Sequence, residues 1–152
     1  MRAYLARIEG GHNRIRTLAA DVDAALQEVG GVCGDWSVRQ LLAHMEAWNV
    51  EILDNLRQLK AGAQEVPEHD VDDFNRRAVE ERKDWPWAKV LQCLRESQRA
   101  LQKHLQDCAA EGWELSAAER EWVEVLVSHD EHHGAQLNDW LASQAPGKSH
   151  GA

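Results

Sequence analysis

Apolar residues recur along this chain at steps of three and four, the period of a helix with one face turned inward. Over about residues 2–29 the stripe is Leu5, Ile8, Ile15, Leu18, Val22, Ala25, Leu26 and Val29. Gly10-Gly11 weaken that first helix and are expected to bend it, and His12 beside them reads as a surface residue. Gly30-Gly31 and Cys33-Gly34-Asp35 make a turn. Ser37-Val38-Arg39-Gln40 then fits the pattern in which a Ser hydroxyl and a Gln amide satisfy the free N–H groups of a helix start. The second helix is expected to run to about Lys60 on a stripe of Val38, Leu41, Met45, Trp48, Ile52, Leu56 and Leu59. His44 lies on or beside that stripe, whereas Glu46, Glu51, Asp54 and Arg57 read as a solvated face.

The pattern breaks between Ala61 and about Asp84, where Gly62, Pro67 and the acidic run from Glu68 to Asp73 predict a loop followed by one short helix, Val71 to Lys83. A connection of that length exceeds the usual link between bundle helices. It can span a helix length, so the third long helix need not be antiparallel to the second. Asp84-Trp85-Pro86-Trp87 predicts the third helix start, with a capping carboxylate and Pro in the first turn. That helix continues to about Ala110 and closes at Gly112; His104 on it reads as a surface residue. Ser116-Ala117-Ala118-Glu119 repeats the capping pattern and opens the fourth long helix. Its expected stripe is Trp122, Val125, Leu126, His129, His133, Leu137 and Trp140, with histidines at two positions where the pattern asks for leucine. Residues 1–143 read as one domain and 144–152 as a disordered tail. The fold class is all-α.

Composition changes this picture little. Ala, Leu, Glu, Gln and Arg dominate the 152 residues, all good helix formers. The formal charge of −9 repels phosphate backbones, which argues against a nucleic-acid partner. Cys33, Cys93 and Cys108 are odd in number and lack CxxC spacing, as expected of reduced thiols. No apolar run is long enough for a membrane span and the first residues are charged and amphipathic, so a cytoplasmic protein with no membrane partner is expected.

Chemistry concentrates at Ser128-His129-Asp130-Glu131-His132-His133. His129 and His133 are one helical turn apart on one face, and a buried imidazole is costly unless its nitrogens find partners. With His44 from the second helix they make a candidate three-imidazole metal site. Three protein ligands leave positions open for water or substrate, as in catalytic rather than structural centres. Gln136 and Asp130 are candidates to orient the rings, alongside Glu131 and Glu46, and Trp48 is a candidate wall. His132 lies about 100° round the helix from His133. The run also resembles the His-Glu-x-x-His helix of metalloproteases, but Asp stands at the place of the base and no strand is present to hold a peptide. Cys33 reads as an inert thiol rather than a nucleophile.

Gly34-Asp35-Trp36-Ser37-Val38, Leu42-Ala43-His44 with Trp48, Phe74-Asn75, and His129-x-x-x-His133-x-x-Gln136 together resemble the DinB/YfiT-like metalloenzyme superfamily. The Trp-Ser entry and the segment around Phe74-Asn75 make the chain most similar to the ClbS/DfsB-like branch. The resemblance covers about residues 1–143. It implies a four-helix bundle of up-down-down-up topology whose long crossover carries the short helix. It also implies a divalent metal, zinc or nickel, on His44, His129 and His133, with Asn75 near the pocket and a homodimer as a common state. Relatives use low-molecular-weight thiols such as bacillithiol or mycothiol as cosubstrates. The function expected is therefore a metal-dependent enzyme that activates a thiol or water against a small electrophile. The alternative is a non-enzymatic protein that sequesters a small molecule.

Overall fold

The computed structural model describes residues 1–144, and the last eight residues, nearly all of the expected tail, lie outside them. Five α-helices follow one another: α1 (Arg2–Ala20), α2 (Val38–Lys60), α3 (Val71–Glu81), α4 (Trp87–Ala110) and α5 (Ala117–Gln144). Both predicted capping boxes form. Gln40 N–H donates to Ser37 Oγ while Gln40 Oε1 accepts from Ser37 N–H. Glu119 and Ser116 make the same reciprocal pair at 3.2 and 2.7 Å. Asp70 caps α3 by accepting from Asp73 N–H, and Asp72 and Asp73 add negative charge to its first turn.

The core is two apolar clusters stacked along the bundle. One holds Ile15 and Ala19 of α1, Leu41, Leu42 and Met45 of α2, Val90 and Leu94 of α4, and Leu137 and Trp140 of α5. The other holds Ile8, then Ile52 and Leu56, then Leu101 and Leu105, then Val123, Leu126 and Val127. α1 and α5 therefore enter the second cluster first, while α2 and α4 run the opposite way, which is the up-down-down-up arrangement. α2 packs beside α4 and α1 beside α5, each pair parallel. Because α2 and α4 are parallel, the chain between them must return along the bundle, and α3 lies in that return, against α2. Between the clusters each long helix contributes a buried polar side chain: His12, Asn49, Gln98 and Asp130.

Several local expectations are corrected. α1 stops at Ala20, not near residue 29, and only a short 3-10 turn, Ala24–Leu26, follows. Val22 and Leu26 pack on the core from this link instead of extending a helical stripe. Gly10 and Gly11 do not break α1. A Cβ on Gly11 would stand 3.1 Å from Asp130 Cβ, so this glycine is where α1 and α5 come closest. His12 is fully buried, one turn from Ile8 and three residues before Ile15, with Nε2 3.3 Å from an Asp130 oxygen. Glu46 is buried too, because Arg82 at the end of α3 reaches over it (2.6 Å). That pair ties the crossover to α2, and the same guanidinium lies over Trp85. Asp84 does not cap α4, whose N-cap is Pro86, without a side-chain bond.

The buried line of α5 is partly rotated from the expected stripe. Leu126, His133, Leu137 and Trp140 are buried as expected, and Val123, Val127, Asp130 and Gly134 join them, while Val125 is exposed and Trp122 and His129 are half-buried. Gly134 and Asp130 pass close to α1, which draws that face inward. His129 and Val125 are left on a flank that faces a cavity.

Candidate metal centre

The histidine-bearing flank of α5 faces α2 midway along the bundle. His44 Nε2 lies 2.9 Å from His129 Nε2 and 3.2 Å from His133 Nε2. One ligand atom from each ring falls within 4.8 Å of the others. Three nitrogens bound tetrahedrally at about 2.05 Å from a zinc-sized ion would stand about 3.3 Å apart. The observed spacings are close to that.

Electrostatics keeps these rings in the ligating form. Burial, reinforced by the neighbouring His133, lowers the pKa of His44 to about 3. Burial and the other imidazoles lower that of His129 to about 2. His133 is lowered by burial as well, against the opposing effect of the hydrogen bond it donates to Gln136. That bond, 2.7 Å from His133 Nδ1 to Gln136 Oε1, has the ring nitrogen donating, so Nε2 carries the lone pair and points at the other rings. His44 Nε2 carries at most one hydrogen for its two close nitrogen neighbours, so nitrogens crowd together without a hydrogen bond for each contact, an arrangement a cation relieves. On donor chemistry and spacing the residues fit a divalent transition metal.

The rings wall a cavity of about 380 Å³, completed by Cys33, Trp36, Trp48, Val71, Asn75, Val125 and His132. Trp36 lies 4.9 Å from the His44 ring. Trp48 donates from Nε1 to Asn75 Oδ1 (2.9 Å) and packs on Phe74 at 4.4 Å, which couples α3 to α2 at the cavity's edge. The crossover thus supplies one wall and the bundle supplies the ring nitrogens.

Of the residues singled out in the sequence, Trp48 and Asn75 line this cavity, and Gln136 touches His133. Asp130 does not face the triad; it is buried against α1 beside His12. Its carboxyl is pushed up to about 7 by burial and then by Glu131, and His12 is pushed down to about 4 by burial. Glu46 is committed to Arg82, and the exposed Glu131 to Arg7. His104 is half-buried beside Cys108, on another helix face. Cys33, Trp36, Val71 and Val125 were not legible as cavity residues. Trp36 was the nearest to being read, since a large aromatic just before a helix cap commonly folds back over the first turns.

No family model matches the chain, and no curated protein matches it. Among solved structures, that of the sibling lethal factor precursor DfsB is similar, with a TM-score of 0.77 over 96% of this chain and 97% of that one. The fold is shared. At 11% identity the likeness extends to the helical architecture and no further.

Proposed function

We propose that this protein is a metal-dependent enzyme in which His44, His129 and His133 hold one divalent ion, zinc or nickel, in the wall of a substrate cavity. The observation that carries this reading is the convergence of three neutral Nε2 atoms, from helices far apart in the chain, on a cavity large enough for a small molecule. A bound ion would supply Lewis acidity, lowering the pKa of a thiol or water so that it attacks a small electrophile. The chain's own part is to present the lone pairs, through burial and through the Gln136–His133 bond. It also keeps one side of the site dry with Trp36 and Trp48, and shapes the cavity with α3. The substrate classes proposed are a small electrophile and, as nucleophile, a low-molecular-weight thiol or water. A homodimer and membership of the DinB/YfiT-like superfamily belong to the same proposal. Among the described residues no helix is long and apolar enough to cross a membrane.

The test is turnover of a panel of epoxides, alkyl halides and activated esters by zinc- or nickel-loaded protein. Each is offered with bacillithiol, mycothiol, glutathione or water alone. Product formation that requires metal and is abolished in His129→Ala is the expected result. Saturable binding of the same molecules without product, in loaded protein, would instead make this a sequestering protein.

A further inference from the structure

The triad's cavity does not end at the triad. Beyond Trp48 and Val125, which line both, lies a second cavity of about 470 Å³ between the start of α5 and the loop before α3. A ladder of rings runs the same way: His129 lies 6.2 Å from Trp48, Trp48 4.4 Å from Phe74, and Phe74 5.1 Å from His69. His69 is fixed in turn by Glu51 at 2.6 Å, so the loop that forms the far wall is pinned to α2.

The charged groups lining this second cavity are all acidic, Glu65, Glu68 and Glu121, apart from the His69 already held by Glu51. None of the three carboxylates is in an ion pair among the described residues. The remaining wall is apolar and aromatic, with Trp48, Trp122, Leu59 and Val66 among it. Exposed carboxylates and indoles lining one cavity are a setting for an organic cation, attracted by both. The cavity on the other flank, between Trp36 and α3, has Arg76 among its acids and selects no sign of charge.

We propose that the second cavity seats an ammonium or guanidinium group at the far end of the substrate. The site would then take an extended molecule whose reactive end meets the triad and whose cationic end lies between Trp122 and the Glu65–Glu68 loop. This deepens the metal-enzyme reading and rests on it for the reactive end. Eight residues of α5 separate Glu121 from His129, so the two ends stand about 12 Å apart. The same acids disfavour thiols whose distal end is anionic, and a cation-terminated or neutral nucleophile is preferred over a polycarboxylate one.

The experiment compares mercaptoundecyl-trimethylammonium, mercaptoundecanol and mercaptoundecanoate by calorimetry on zinc-loaded protein. In parallel, undecyl-trimethylammonium and undecanoate are titrated against metal-free protein by tryptophan fluorescence. The ammonium probe is expected to bind at least about tenfold tighter than the carboxylate in both series, the scale of a few partly exposed charge contacts. Glu65→Gln/Glu68→Gln/Glu121→Gln should erase that preference and leave mercaptoundecanol unchanged. Equal affinity for the two charged probes, or a preference that survives the triple substitution, would overturn the cation seat. If zinc adds nothing to thiol binding while the ammonium preference holds in metal-free protein, the metal reading falls and the cation seat stands.

Discussion

Gln136 offers a sharp handle on the triad because it touches one ring and nothing else in the site. Its Oε1 accepts from His133 Nδ1 at 2.7 Å in a half-buried setting, which fixes the tautomer that presents Nε2 to the other rings. Gln136→Leu keeps the volume and removes the acceptor. The lost hydrogen bond alone accounts for about 1 kcal/mol. Loss of tautomer control adds to it, and outer partners of ligating histidines typically contribute about 10–100-fold in metal affinity, or about 1.4–2.8 kcal/mol. Gln136→Glu supplies a charged acceptor, which makes the imidazole a better donor to metal and is expected to tighten binding. The assay is competition for zinc against a chromophoric chelator near neutral pH, with circular dichroism to establish that each variant is folded. The expected order is Glu tightest, then Gln, then Leu. Zinc affinities for folded Gln136→Leu and native protein within about twofold of each other would refute the tautomer argument.

Other perturbations reach the frame that holds the site. Glu46→Ala removes the closer and more buried of the two carboxylate partners of Arg82, leaving the exposed Glu81 at 3.6 Å, and should lower the free energy of urea unfolding by about 1.5–3 kcal/mol, the scale of a charged hydrogen bond. A loss below about 1 kcal/mol would show that the pair is solvated like a surface one. Gly10→Ala meets nothing within 4 Å and should raise stability by about 0.5–1 kcal/mol. Gly11→Ala sets a methyl 3.1 Å from Asp130 Cβ and should gain nothing or lose; equal stabilisation by the two in thermal unfolding would contradict the close approach of α1 and α5. His12 has a folded pKa of about 4 against 6.5 unfolded, so its neutral burial stabilises the fold above pH 6.5 and that contribution is lost as the pH falls through 4. In metal-free protein, stability should therefore drop between pH 7 and pH 4 by up to about 3 kcal/mol more than in His12→Gln. Parallel pH profiles for the two would exclude that role.

The helical architecture was legible because its signals are local. Two capping boxes and long stripes of period 3.6 fix α2 and α5 to within a residue at their starts, and the length of the connection from Ala61 to about Asp84 left α2 and α4 free to be parallel. The juxtaposition of His44 with His129 and His133 was legible for a related reason: histidines on inward stripes of neighbouring helices have few places to go. What was missed depends on partners from elsewhere in the chain. His12 carries no local sign that Asp130 will face it, and Glu46 none that Arg82 will cover it. The rotation of α5 follows from the small Gly11 and Gly134 letting α1 approach, a preference of the pair of helices and not of either sequence. Cys33 and Trp36 reach the cavity through a turn whose glycines, Gly31 and Gly34, adopt positive φ, and apolar periodicity carries no information about such a turn.

The most direct measurement is a cobalt(II) titration of metal-free protein followed by its visible d–d absorption, run beside His44→Ala. One tetrahedral ion per chain in the native protein, with the bands lost in the variant, is the predicted result. Absence of stoichiometric uptake, or an identical spectrum without His44, would contradict a metal centre shared between α2 and α5.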